Sequence, residues 1–95
     1  MNRLDHLLVI VAEEASEIVK EASKCLRFGT NDEYQGSTNL EKLYIEFGQL
    51  IAVMEMLEKE DPTIKGFEIA KYNINNKKDK VEKYLEYSRN LGRLK

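Results

Sequence analysis

Between Leu43 and Met54 the chain reads Leu-Tyr-Ile-Glu-Phe-Gly-Gln-Leu-Ile-Ala-Val-Met, an apolar run broken only by Glu46, Gly48 and Gln49. Just before it, Thr38-Asn39-Leu40-Glu41 fits a capping box, with Thr38 as N-cap and Glu41 reaching back. A helix this apolar on nearly all sides is expected to be buried on nearly all sides. Glu46 is then the residue the fold must accommodate. A buried carboxylate has to be protonated, paired with a cation or bound to a metal, because an unpaired charge there is very costly. Gly48 weakens a helix interior by about 1 kcal/mol relative to Ala. A packing reason is therefore expected: another helix approaching closely beside Glu46.

Two more helices flank this one. The first runs from about Leu4 to Leu26, capped by Asn2 or Asp5 and ended at Gly29. Leu4, Leu8, Val11, Ala15, Ile18 and Ala22 recur at helical spacing and are expected to form its core stripe. A second stripe runs beside it: Leu7, Ile10, Glu14, Glu17, Glu21, Lys24 and Phe28. It is apolar at the start, acidic in the middle and basic at the end. Either Leu7 and Ile10 widen the core face and the glutamates are exposed, or the stripe is one side of a site. Asp61-Pro62 marks the next boundary, with Asp61 capping, Pro62 at a first helical position and Gly66 as a bend. The third helix spans about Phe67 to Arg89, with Phe67, Ala70, Ile74, Val81, Leu85 and Ser88 as its inner stripe. Its middle, Asn73 to Lys80, is nearly all polar. That is either a solvated face or, through Asn73, Asn76 and Lys77, a surface for an anionic ligand.

Gly29 to Ser37 is polar and holds two glycines, and is either a lid or a simple connection. Apolar and polar residues rarely alternate, so no strand is expected. The reading is all-α: a helical hairpin plus a third helix, in a single domain spanning 1–95. A chain of 95 residues buries only roughly two-thirds of its unfolded surface, and oligomerisation is a common remedy. The balance of 15 basic and 17 acidic residues argues against a dedicated duplex-binding protein. The lone Cys25 excludes an intrachain disulfide and a cysteine-rich zinc site. Leu7 to Ala12 is too short to span a bilayer, so no membrane partner and a cytoplasmic location are expected.

Glu14 and Glu17, and likewise Glu46 and Gln49, stand three residues apart and share a helix flank. Carboxylates on packed antiparallel helices suit a hard divalent cation such as Mg²⁺, which shares its remaining positions with water and substrate phosphates. The only histidine, His6, is not placed for a Glu-x-x-His di-iron pattern. There is no Walker A loop and no Gly-x-Ser-x-Gly elbow. Phosphoryl chemistry on a metal-held polyphosphate needs neither.

Glu13-Glu14-Ala15-Ser16-Glu17 resembles the Glu-Glu-x-x-Glu motif of MazG-like nucleotide pyrophosphohydrolases, of the all-α NTP pyrophosphatase superfamily. Glu46-Phe47-Gly48-Gln49-Leu50-Ile51 is similar to that family's second motif, Glu-Leu-Gly-Asp-Leu-Leu. Ser23 to Gly29 and Tyr84 to Leu94 are similar to segments of short phage-type members. The resemblance implies Mg²⁺-dependent hydrolysis (with Mn²⁺ as an alternative) of an NTP or dNTP to the monophosphate and pyrophosphate. It implies homodimers or homotetramers with a four-helix-type bundle core, and a phage or prophage setting in a host cytoplasm. Carried over, Glu14, Glu17, Glu46 and Gln49 become metal ligands. Glu13 becomes a water-activating base or an outer support to the ligands. Lys24 and Arg27 meet phosphates, and Asn73 and Lys77 reach the nucleotide. Gln49 stands where the family has Asp, so one of four carboxylates is replaced by a neutral carbonyl donor. Three outcomes follow: a weaker single-metal site, replacement by Glu13 or Glu21, or a catalytically impaired protein that only binds nucleotide or metal. A plain structural oligomer, with Glu46 neutralised by a cation across an interface, is a further reading.

Overall fold

The computed structural model describes residues 1–95. Three helices carry most of the chain: α1 (Arg3–Phe28), α2 (Asn39–Glu60) and α3 (Gly66–Asn90). Two very short strands, β1 (Glu33–Tyr34) and β2 (Ser37–Thr38), lie between α1 and α2. The chain divides into two compact units, Met1–Pro62 and Thr63–Lys95.

In the first unit α1 and α2 form an antiparallel hairpin. Arg3 at the start of α1 pairs with Glu60 at the end of α2, and Gly29 past the end of α1 is tied to Asn39 at the start of α2. Asn2 caps α1 in a reciprocal box with Asp5. The backbone turns at Gly29, with φ 94°, a value that strongly favours glycine. Thr38 and Glu41 form the expected box at the start of α2. The Thr38 hydroxyl accepts from the Glu41 N–H at 3.0 Å, and the Glu41 carboxylate accepts from the Thr38 N–H at 3.1 Å. The Thr38 backbone N–H, and after it the Thr38 hydroxyl, hold the Glu41 carboxyl below its ordinary 4.5. A depressed pKa contributes stability above 4.5 that is lost as pH falls through the folded value. Thr38→Ala is expected to destabilise the hairpin by about 1 kcal/mol and to flatten its unfolding profile below pH 4.5, read by urea titration across pH.

The connection is not the strandless loop the sequence suggests. β1 and β2 pair antiparallel, Glu33 opposite Thr38 and Tyr34 opposite Ser37. Gln35 and Gly36 make the turn with φ of 55° and 86°, the two positive values that match the right-handed twist of a tight hairpin. Lys42 lies 4.5 Å from the Tyr34 ring centroid.

The buried line of α1 is Leu4, Leu7, Val11, Glu14, Ile18, Glu21 and Cys25. It alternates steps of three and four residues, the spacing of a seam between two helices. On α2 the matching line is Asn39, Leu43, Glu46, Leu50, Val53 and Leu57. This corrects the expected stripe: Leu8 and Ala15 are exposed, while Leu7 is the most buried apolar side chain at 4% exposure. The expected all-round burial of α2 is also corrected. Tyr44, Ile45 and Phe47 are exposed, and a Cβ at Gly48 would meet nothing within 4 Å. The hairpin is therefore a thin two-helix layer with one buried seam.

The second unit is the helix α3 with its ends. Lys65 caps it in a left-handed conformation, φ 53°, with no side-chain bond to the helix. Asp61 closes α2 instead of opening a new helix, and Gly66 is the first helical residue rather than a bend. At the far end the Gly92 N–H donates to the Arg89 carbonyl and the Arg93 N–H to the Ser88 carbonyl, the paired closure of a Schellman motif. Of the expected inner stripe, Leu85 and Ser88 are half-buried, whereas Phe67, Ala70, Ile74 and Val81 are exposed. No helix is long and apolar enough to cross a membrane.

Candidate functional site

Glu14, Glu17 and Glu21 stand on successive turns of α1, so their side chains line one flank. Glu14 and Glu21 fall on the buried seam and Glu17 beside it; Glu21 is 6% exposed, and Glu14 and Glu17 are half-buried. Glu46 occupies the facing seam of α2 and is half-buried. The two helices thus bring four carboxylates together along one junction.

Such a group is electrostatically unfavourable without a cation. The Glu46 carboxyl is pushed above its ordinary 4.5, first by burial, then by the negative charges of Glu14 and Glu17, a hydrogen bond with Glu14, and the charge of Glu21. One oxygen of Glu14 and one of Glu21, both Oε2, are buried without a hydrogen-bond partner. Orphaned buried acceptors are uncommon and need an explanation, such as an unseen ion or water. Lys24 reaches the cluster, its Nζ lying 3.4 Å from Glu21 Oε1.

The donor set is chemically suited to a hard divalent cation, since carboxylate oxygens are what Mg²⁺ and Mn²⁺ prefer. The side chains as they stand do not converge to metal-ligand geometry: no three His, Cys, Asp or Glu groups form such a set. The residues therefore fit the ion by chemistry and by unmet bonding capacity, with rotamer adjustment still required.

The sequence-derived site residues divide. Glu14, Glu17 and Glu46 are brought together. Gln49 is exposed, one turn from Glu46 on the outer side of α2. Glu13 is exposed as well, and its backbone carbonyl accepts from the Ser16 hydroxyl at 2.8 Å. Glu21, not Gln49, joins the other three carboxylates. Lys24 is half-buried on the same flank, and Arg27 is exposed with its guanidinium 5.0 Å from the Phe28 ring centroid. In the second unit Lys77 is exposed, and Asn73 uses its amide to donate to the Ile69 carbonyl of its own helix at 2.8 Å.

Sequence reasoning missed Asn39. Its side chain is 4% exposed and its Nδ2 donates to the Gly29 carbonyl at 3.0 Å. Its backbone N–H donates to the Asp32 carbonyl, and the Leu40 N–H to the Thr30 carbonyl. These bonds fix the end of α1 against the start of α2, and so set how the carboxylate-bearing helices are joined. The available signal was an amide directly after an N-cap, behind a two-residue turn ending in glycine. Comparison with protein-family models, with curated proteins and with solved structures finds no match to this chain.

Proposed function

We propose that the chain is a MazG-like nucleoside triphosphate pyrophosphohydrolase that converts an NTP or dNTP to the monophosphate and pyrophosphate. The observation that carries this reading is the junction of Glu14, Glu17, Glu21 and Glu46, with its raised Glu46 pKa and two unpartnered oxygens. Mg²⁺ or Mn²⁺ held there would supply countercharge and Lewis acidity toward a polyphosphate. In this reading Glu14, Glu17, Glu21 and Glu46 are the ligands, and Glu21 takes the place the family pattern gives to the residue at Gln49. Glu13, on the exposed side, accepts the proton of the attacking water. Lys24 and Arg27 lie one and two turns beyond Glu21 and meet the phosphates; Lys24 exchanges its bond to Glu21 for one to phosphate.

The protein works as a homo-oligomer, cytoplasmic and of phage type. The support for the homo-oligomer is the apolar surface the hairpin leaves open, while location and phage type rest on the family resemblance alone. Leu8, Val19 and Leu26 on α1 and Leu40, Tyr44, Phe47 and Met54 on α2 are all exposed. Each lies one residue along from a seam position or on the adjoining flank. On antiparallel neighbours that step turns both helices toward the same side of the layer, so the residues form one face. A contiguous apolar face of this kind marks an interaction site, and a second hairpin laid on it completes a four-helix-type core.

The test is pyrophosphate release from a panel of NTPs and dNTPs with Mg²⁺, Mn²⁺ or EDTA. The parent is expected to turn over only with metal. Glu21→Gln should reduce turnover by at least about 10- to 100-fold, the loss that follows when even an outer partner of a metal ligand is disturbed, and Gln49→Ala should change it little. A silent parent revived by Gln49→Asp favours the second reading, a catalytically impaired nucleotide- or metal-binding protein. That reading is supported by Gln49, which offers a neutral carbonyl oxygen where the family pattern has a carboxylate. Silence in both removes the enzymatic proposal.

A further inference from the structure

The near-neutral charge of the whole chain hides a division between its two units. Met1–Pro62 holds 6 basic and 13 acidic residues, a net of −7, and Thr63–Lys95 holds 9 basic and 4 acidic, a net of +5. In the second unit the charge is also sorted around α3. At 3.6 residues per turn, Tyr72, Tyr84 and Tyr87 fall on one face with Lys77, Lys80 and Lys83. That face covers roughly 140° of the helix circumference. Of the unit's four carboxylates, Glu68, Glu82 and Glu86 lie on another side, and Asp79 stands at the margin. Arg89 pairs with Glu86 on that other side. The stripe of Phe67, Ile74 and Val81 forms a third side.

The make-up of the tyrosine–lysine face is specific. The three rings are 86%, 68% and 62% exposed in chain order. Large aromatic side chains left this open belong to binding surfaces rather than to ordinary solvated faces. The three lysines stand three residues apart and form a diagonal row of neighbours. Tyr72 lies beyond one end of the row, and Tyr84 and Tyr87 at the other, about 22 Å from first ring to last along the axis. Asn76 adds an exposed amide between Tyr72 and the lysines.

A row of positive charge set apart from carboxylates suits a polyanion. Rings bracketing the row suit flat groups carried on that same polyanion. Bases on a phosphate backbone supply both, and only where they are unpaired, because bases inside a duplex are already stacked on one another. A lipid surface fits less well. A helix lying on one gathers apolar side chains on a single face with cations along its borders, whereas here lysines hold the middle of the face and rings its ends.

We infer that α3 binds a single strand of nucleic acid along this face. Phosphates meet Lys77, Lys80 and Lys83, and bases stack on Tyr72, Tyr84 and Tyr87. This goes beyond the hydrolase reading and is independent of it, since every residue it uses belongs to the second unit.

The test is fluorescence anisotropy of labelled oligo(dT) and oligo(U) with the full chain over a range of salt concentrations. Both should bind, because stacking and phosphate contacts use groups common to DNA and RNA. Binding of one alone still supports the strand and adds discrimination at the sugar 2′ position. Affinity should fall with salt, with a log–log slope of about −0.7 per neutralised phosphate. Lys80→Glu/Lys83→Glu should weaken binding at least about tenfold and make the slope shallower by about 1.4. Lys71→Glu/Lys78→Glu makes the same change of net charge off the face and should keep the parent's slope. Tyr72→Leu/Tyr84→Leu keeps apolar bulk and loses the rings; it should weaken binding at least about fivefold and leave the slope unchanged. All six substituted side chains are exposed, so circular dichroism should show the parent's helicity in each variant. A parent that binds neither oligonucleotide overturns the inference, as do equal losses from the two lysine pairs or no loss from the tyrosine pair. A duplex bound as tightly as the single strand overturns it too. Phosphatidylserine vesicles bound in place of the oligonucleotides would assign α3 to a membrane surface and likewise overturn it.

Discussion

Glu46→Gln is expected to make the metal-free protein more stable and to abolish its response to metal. The glutamine keeps the shape of the side chain and removes the charge that Glu14, Glu17 and Glu21 oppose. The sign follows from linkage. A carboxyl whose folded pKa is raised binds its proton more tightly in the folded state, so its contribution is fully present below the ordinary 4.5 and is lost as pH rises through the folded value. At neutral pH the parent carries that penalty and the variant does not. A rise in Tm of a few degrees is expected, with a flatter stability profile above pH 4.5. Mg²⁺ or Mn²⁺ should raise the Tm of the parent, because an ion that binds only the folded state stabilises it by mass action. The same ions should leave Glu46→Gln unchanged, and metal-dependent turnover should vanish with it. Scanning calorimetry with and without metal measures the first effect independently of any activity. A variant less stable than the parent at pH 7 without metal would mean that the cluster is not mutually repulsive.

Asn39→Ala should act in the opposite direction and on the scaffold alone. Removing the side chain leaves the Gly29 carbonyl without its partner and opens a gap at one of the three buried positions in the chain. An unmet hydrogen bond of this kind costs about 2 kcal/mol, and for a domain of this size that lowers Tm by roughly 10 °C. Asn39→Asp is a sharper probe: its shape is conserved, but an acceptor then faces the Gly29 carbonyl, and the loss should be larger. Limited proteolysis should cut between Thr30 and Ser37 sooner in both variants. Equal cleavage rates in parent and variants would show that the β1–β2 hairpin holds itself in place.

The helix ends were legible because each depends on a few neighbouring residues. Thr38 with Glu41, Gly29 and Gly92 mark termini through local bonds and backbone angles. The buried seam was harder to find. On α1 both the Leu4-Leu7-Val11 line and the adjoining Leu8-Ala12-Ala15 line are apolar at their start, and hydrophobic spacing alone does not say which faces α2. The seam also carries Glu14 and Glu21, residue types that pattern reading assigns to solvent. Glu14, Glu17 and Glu46 could still be named, because paired carboxylates at helical spacing carry a chemical meaning of their own. Glu21 could not be chosen over Gln49, since that depends on the relative rotation of two helices. The tiny sheet follows from Gln35-Gly36, a two-residue turn ending in glycine whose flanks are too short to show alternation.

The antiparallel seam also bears on how fast the protein forms. Only the 10 residues from Gly29 to Thr38 separate α1 from α2, so the search that brings the helices together is a short loop closure. Topologies dominated by such near contacts reach the native state in microseconds to milliseconds. Chains leaving a ribosome at a few residues per second would complete the hairpin before many copies are present. Its sticky side would then be on display from birth, and the slow event in the life of the molecule would be an encounter, set by the rate of synthesis rather than by any barrier within the chain.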